Sequence, residues 1–268
     1  MNKVVFITGI SSGFGKSVST LLAQKGYIVY GTYRTPCEIS AGVKGLQMDV
    51  TDPLEVNRCI AEVLDREGKI DVLINNAGMH PGGPAELFPD DLLRLQMETS
   101  FMGAVHTVKA VLPSMRRQKK GTIMNISSIG GLMGLPFQAY YSAAKFALEG
   151  WSEALRMELR PFNIKVIVIE PGDFHTRNTV NRINIHSENT DPSYEAQFSK
   201  TLAVIGNDEN KGWHPDVLAS KIGEILEKKW PAERYVVASV SQKLAVALKH
   251  LLPQKWFSAI LRGHYGIR

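Results

Sequence analysis

Short, β-branched apolar runs recur along this chain, each separated from the next by a segment of helical periodicity. The runs are VVFITG (4–9), YIVYGTY (27–33), LQMDV (46–50), DVLINNAG (71–78), GTIMNISS (121–128) and KVIVIEPG (165–172). Between them Val18, Leu21 and Leu22, or Val56, Ile60, Val63 and Leu64, return at helical spacing. Strands that are apolar on both faces and alternate with helices belong in a parallel sheet covered on each side. Right-handed crossovers then give a doubly wound α/β architecture of three layers, α/β/α. With 268 residues and a 44% hydrophobic share, the chain has room for one large core and is expected to form a single domain over 1–268.

The pattern loosens after Gly172. Residues 173–212 are polar and carry no strong periodicity, which is long for a connection inside one domain. Segments of that length commonly cover a binding site, so a substrate-covering role is expected here. A helix over 215–228, a strand RYVVA over 234–238 and a C-terminal amphipathic helix over about 240–262 are expected to follow.

Several functional classes are set aside by composition. MNKVVFITG runs straight into a strand, so no secretory leader is expected, and no apolar run is long enough to span a membrane. Cys37 and Cys59 lack a metal-like spacing and suit a reducing cytoplasmic setting. The formal charge of +5 is mild, and no nucleic-acid-reading motif accompanies it.

Chemistry enters with TGISSGFG (8–15), which follows the first strand and opens a helix. Gly9, Gly13 and Gly15 permit a tight turn and a close backbone approach, and the amides at the helix start suit a pyrophosphate. The other reading is a turn that merely needs flexible residues. The end of the second strand selects the cofactor: an acid there bonds ribose hydroxyls, a base takes a 2′-phosphate. Tyr33 and Arg34 stand at that point, and Ser12 adds a hydroxyl, so NADP(H) is expected over NAD(H); the other reading of Arg34 is an ordinary surface arginine.

Tyr141 and Lys145 lie at i and i+4, on one face of a helix. An ammonium beside a phenol favours the phenolate, and a phenol so tuned can exchange a proton with a carbonyl or alcohol oxygen. The preceding Tyr140 lacks that spacing and is expected to pack beside the pocket.

These segments together resemble the single-domain short-chain dehydrogenases/reductases over nearly the whole chain, which carry a Rossmann-like fold. TGISSGFG matches their cofactor turn, NNAG (75–78) their strand-four motif, YSAAK (141–145) their Tyr-x-x-x-Lys, and PGDFHT (171–176) their nicotinamide-holding segment. The resemblance implies a catalytic Ser128, Tyr141 and Lys145, Ser128 lying 13 residues before the tyrosine as in that family. Ser127 is expected to be structural. The resemblance also implies cofactor contacts from Gly9, Ser11, Ser12, Gly13, Phe14, Gly15, Arg34, Asp49, Val50, Asn76, Ala77, Gly78, Tyr141, Lys145, Pro171, Gly172 and Thr176. One departure is Ser100, which stands where the family usually has an asparagine that helps hold a water in the proton path.

The stretches 127–150 and 160–176 look most like the 17β-hydroxysteroid and retinol dehydrogenase branch. Met79, His80, Met133, Leu135, Phe137, Phe174 and His175 are the expected substrate-pocket residues, with others from 177–212. Met and aromatic groups there suit a bulky apolar ligand; the alternative is that they fill the core. The C-terminal stretch could lie on a membrane surface or cap the substrate opening, although packing on its own domain or a sister subunit is favoured. Helix 141–160 is the expected partner face of a homodimer or homotetramer. The overall expectation is an NADP(H)-dependent alcohol dehydrogenase or carbonyl reductase needing no metal, acting on a hydroxysteroid or retinoid. A cofactor-binding sensor without turnover and a 3-oxoacyl thioester reductase are the alternatives.

Overall fold

The structure, a computed structural model, describes residues 2–176, 183–185 and 192–267. Seven strands are ordered β3-β2-β1-β4-β5-β6-β7, every pair parallel. They are β1 (Val4–Ile7), β2 (Ile28–Tyr33), β3 (Val43–Gln47), β4 (Val72–Asn75), β5 (Gly121–Ile126), β6 (Ile164–Pro171) and β7 (Arg234–Val237). The strand order turns back between β1 and β4, which leaves a crevice beyond their carboxyl ends.

Alternation along each strand divides the core into two layers. Val4 and Phe6 join Leu73, Ile123 and Val166 on one face, beneath α2 (Pro53–Glu67), α4 (Gly103–Gln118) and α5 (Ala139–Leu159). Val5 and Ile7 join Val72, Ile74 and Ile167 on the other, beneath α1 (Gly13–Gln24) and α7 (Pro215–Glu227). The expected single doubly wound domain is thus what the chain forms.

Three elements differ from the sequence expectation. The third strand covers 43–47 rather than 46–50, because VKGLQ is an exposed edge strand with little apolar signal. Asp49 and Val50 fall in the turn after it, where the Asp49 Oδ1 accepts from the Thr51 amide at 2.9 Å. Within 173–212 lies a helix, α6 (Pro192–Asn210); residues 177–182 and 186–191 of the expected covering segment are outside the described residues. The expected C-terminal helix is two, α8 (Val240–Leu251) and α9 (Gln254–Tyr265), because Leu252 is driven extended (ψ 147°) by the following Pro253. The remaining helix, α3 (Asp90–Met97), runs into α4 through a π-helical turn, Glu98–Met102. Among the described residues, no helix is long and apolar enough to cross a membrane.

Candidate active site

The glycine turn is braced from the neighbouring strand. Gly9 has φ 74° and Gly13 φ 54°, left-handed values that favour glycine. A Cβ on Gly9 would stand 3.0 Å from the Ala77 Cα, so the turn and the NNAG segment are in direct contact. Thr8 Oγ1 accepts from the amides of Asn76 (3.0 Å) and Ala77 (2.9 Å). Asn76 Nδ2 returns two donations, to the Thr8 and Gly9 carbonyls, each at 2.9 Å. The two motifs form one rigid floor.

Above that floor is a cleft of about 420 Å³, lined by Gly9, Ser11, Ser12, Gly13, Phe14, Arg34, Asp49, Val50, Asn76, Ala77, Gly78, Tyr141, Lys145 and Thr176 among others. The amides opening α1, the open glycine backbone and the exposed Arg34 fit a dinucleotide's phosphates. Three expected cofactor residues are placed differently. Gly15 lies under the turn, where a Cβ would run into the Gly9 carbonyl, so its role is close packing. Pro171 and Gly172 line the next cavity, since Gly172 lets Gln242 of α8 approach where a Cβ would stand.

Tyr141 and Lys145 rise from the first turns of α5. Lys145 is 6% exposed, and its Nζ donates to the carbonyl of Ile126, the last residue of β5, at 2.8 Å. It lies 5.9 Å from the Tyr141 ring centroid. Burial pushes its pKa down from 10.5 to about 8, against the opposing pull of Glu149 one turn later. Ser128 caps a short 3₁₀ turn, Ile129–Gly131, and its Oγ accepts from the Gly130 amide at 3.0 Å, which leaves the hydroxyl proton to donate. A Cβ on Gly130 would meet Tyr141 Cε1 at 3.0 Å and Ser128 Oγ at 3.4 Å, so the serine and the phenol ring flank that glycine. Ser100, in the π turn, accepts from the Met79 amide and Gln96 Nε2, each at 3.2 Å.

A second cavity of about 340 Å³ begins where the cleft ends. Phe14, His80, Ser127, Tyr141 and Thr176 line both. Its further walls are Ser128, Met133, Leu135 and Phe174, with Ile205 and Glu209 from α6, Leu248 from α8 and Phe257, Ile260 and Leu261 from α9. His80 stacks on Tyr141 with 3.9 Å between ring centroids, and its Nε2 shares a 2.8 Å hydrogen bond with Gln138.

Three of the expected pocket residues stand elsewhere. Met79 lines the cofactor cleft. Phe137 has a left-handed backbone (φ 56°), which turns its ring onto Phe198 of α6 at 5.1 Å, outside the cavity lining. His175 is exposed because its extended neighbour Phe174 is buried against Phe14 at 4.9 Å, and successive side chains point oppositely. Tyr140 packs on Phe88 at 4.8 Å and its hydroxyl donates to the Ala85 carbonyl at 3.0 Å.

Sequence reasoning missed Gly130, Gln138 and Glu209. The GG doublet after the serines carried a signal for the first. Glu209 falls within the 177–212 span expected to contribute pocket residues but is not singled out there, and Gln138 had no signal, because only the fold brings 138 and 209 to residue 80. Among the described residues no group of acids, histidines and cysteines could hold a metal.

A crevice at the strand-order reversal, a glycine turn on a helix start, and a Tyr-Lys pair facing it together define a nicotinamide-dependent oxidoreductase. The chain belongs to the short chain dehydrogenase family, which matches residues 3–185. It is 44% identical over 266 residues to 3-ketodihydrosphingosine reductase of Bacteroides thetaiotaomicron, covering 99% of each protein. Human retinol dehydrogenase 8 is 40% identical over 184 residues, 63% of this chain and 58% of that protein. A crystal structure of a short-chain dehydrogenase from Streptomyces avermitilis superposes with a TM-score of 0.82 at 30% identity, covering 98% and 96% of the two chains.

Proposed function

We propose that this protein is an NADPH-dependent reductase of a long-chain 2-amino ketone, the chemistry of 3-ketodihydrosphingosine. The single observation that carries the reading is the meeting of cleft and cavity at Tyr141, the second space walled by Met133, Leu248, Phe257 and Ile260. Such walls suit an alkyl chain, and the placement of a bare ketone beside the phenol suits reduction. The similarity over 99% of both chains to the Bacteroides enzyme supports the same substrate class.

In this reading Arg34 takes the 2′-phosphate, the α1 amides the pyrophosphate, and Lys145 the ribose hydroxyls near the reacting ring. When bound, the cofactor supplies a hydride from C4 of its nicotinamide. Ser128 donates its hydroxyl proton as a hydrogen bond to the ketone oxygen and fixes its position. Tyr141 gives its phenolic proton to that oxygen as the alcohol forms, and the nearby ammonium of Lys145 stabilises the phenolate left behind. The apolar walls exclude water from the site.

The partial similarity to human retinol dehydrogenase 8 favours a retinoid as the second reading. One panel separates the possibilities: NADPH or NADH with 3-ketodihydrosphingosine, retinal, a ketosteroid and a 3-oxoacyl thioester. The expected result is fastest oxidation of NADPH with the amino ketone. Preference for retinal or the steroid sinks the proposed substrate, and no turnover of any carbonyl sinks the enzymatic reading.

A further inference from the structure

The two helices that end the chain are apolar on more than the side they turn to the domain. Leu244, Ala245 and Leu248 of α8 and Phe257, Ile260 and Leu261 of α9 line the second cavity. Beside that face a further apolar stripe is exposed. On α8 it is Val240, Leu244, Ala247 and Leu251, returning at i, i+4, i+7 and i+11. On α9 it is Trp256, Ala259 and Ile260, at i, i+3 and i+4. Leu244 and Ile260 belong to both faces: they are 57% and 52% exposed and yet line the cavity, so they stand at its rim. The cavity therefore opens among the stripe residues, with one rim group from each helix.

The charge of this region has one sign. No aspartate or glutamate follows Glu233, whereas Arg234, Lys243, Lys249, Lys255, Arg262 and Arg268 do, more positive charge than the whole chain's +5. Helical spacing sets the exposed Lys243, Lys255 and Arg262 on the flank of the stripe away from the cavity. Lys249 turns elsewhere, 5.4 Å over the Phe257 ring. A helix face built for water carries charges of both signs. Basic groups alone beside an apolar stripe suit a lipid interface, where the apolar side chains enter the headgroup boundary and the cations meet anionic lipid. The exposed Trp256 adds an amphipathic ring of the kind that sits at that depth. A second copy of this chain fits the stripe less well, because a two-fold contact would set the same basic groups against one another.

We propose that α8 and α9 dock this protein on an anionic lipid bilayer, with Val240, Leu251 and Trp256 in the headgroup boundary and the cavity rim facing the acyl chains. The docking goes beyond the substrate reading above. Its consequence rests on that reading: a long-chain ketone passes from the bilayer into the cavity between Leu244 and Ile260 without crossing water.

Flotation of the full chain with lipid vesicles tests the docking in the absence of substrate. The native protein is expected to bind vesicles of phosphatidylcholine and phosphatidylglycerol in equal parts about tenfold or more tightly than phosphatidylcholine alone. Salt at about 1 M, where the Debye length is about 3 Å, is expected to remove that preference. Lys243→Gln with Lys255→Gln should weaken binding to the anionic vesicles about 10–30-fold, at about fivefold per charge. Leu251→Ser with Trp256→Ser should weaken binding to both kinds of vesicle, and unchanged fluorescence of bound NADPH shows that each variant is folded. No flotation with either vesicle, equal affinity for the two, or unchanged binding in the lysine variant overturns the proposal. If vesicle binding is absent and the serine pair instead turns a native dimer into monomers in sedimentation velocity, the stripe is an interface between copies and the proposal falls. Docking without reduction of 3-ketodihydrosphingosine leaves the inference standing and removes the substrate reading.

Discussion

The cofactor cleft and the second cavity share Tyr141, yet the networks of polar groups buried around them differ. Beneath the cleft, Lys145 apart, a set of neutral groups is joined in sequence. Thr107 donates to Asn75 (2.6 Å), Asn75 to Asn125 (2.8 Å), Asn125 to Ser152 (2.8 Å), and Ser152 to the Leu148 carbonyl (2.5 Å). That chain ties α4, β4, β5 and α5 together without placing a charge in the core. On the cavity side, beside the neutral Ser127, Ser128 and Gln138, the buried groups include three carboxylates: Glu209 on its wall, and Glu149 and Glu170 behind the serine turn. Arg234 bridges the last two, at 2.5 Å to Glu149 and 3.3 Å to Glu170. Neutral networks hold a shape at any ordinary pH, whereas buried acids respond to protons and to the charge of what binds.

The strongest challenge to this division falls on the residue common to both sides. Tyr141→Phe keeps the ring against His80 and Gly130 and removes only the proton donor. Ketone reduction is expected to drop at least a thousandfold, a loss of about 4 kcal/mol in transition-state stabilisation, while NADPH affinity stays within a few fold. Single-turnover rates with equilibrium fluorescence of bound NADPH separate the two quantities. If cofactor affinity collapses as well, Tyr141 is chiefly a cofactor residue and the shared boundary is misdrawn.

The buried acids give the next largest effect, this time on stability. Burial, with the nearby charge of Glu149, raises the Glu170 pKa from 4.5 to about 7, which Arg234 only partly opposes. Between those values the folded chain holds a proton that the unfolded chain releases, so stability falls as pH climbs from 4.5 through 7. The loss attributable to this group is up to about 3 kcal/mol. Glu170→Gln should flatten that slope in urea unfolding without cofactor at pH 5 and pH 7.5. Lys145 acts in a separate window: its pKa is lowered from 10.5 to about 8, so the unfolded chain holds the extra proton there and stability recovers between those values. An unchanged slope in the glutamine variant would remove Glu170 from the pH-sensitive side.

Arg34 lies only on the cleft. Its side chain is exposed at the end of β2, with its own carbonyl accepting from Gln47 Nε2 at 3.1 Å. Arg34→Ala is expected to raise the KM for NADPH by about 10–30-fold, roughly 1.4–2 kcal/mol, with NADH kinetics unmoved. A parallel loss with NADH would mean that Arg34 does not read the 2′-phosphate.

The two sides also differed in how far they could be read in advance. The cleft is made where strands end, so TGISSGFG, NNAG and YSAAK keep their chemistry within a few consecutive residues, and Thr8 meets Asn76 because β1 and β4 are neighbours. The cavity is walled by α6, α8 and α9, whose facing sides are set only when the domain closes. Among the described residues of α6, two of the four buried positions are the polar Thr201 and Glu209, which breaks the apolar periodicity that betrays a buried helix. Phe137 was misplaced for a different reason: nothing in LPFQ announces a left-handed phenylalanine.

The smallest expected effect belongs to Tyr140, and it sharpens the boundary from outside. Its hydroxyl bonds the Ala85 carbonyl in an exposed setting, and its ring packs on Phe88 rather than on the cavity. Removing an exposed hydrogen bond leaves the carbonyl to water, so Tyr140→Phe should cost under about 1 kcal/mol of stability and change kcat/KM by less than about threefold. Thermal unfolding and steady-state kinetics beside Tyr141→Phe test this on the same helix, one residue apart. A severe kinetic loss at 140 would mean that the Ala85–Phe88 segment positions the start of α5, and so the phenol of Tyr141, through that single bond.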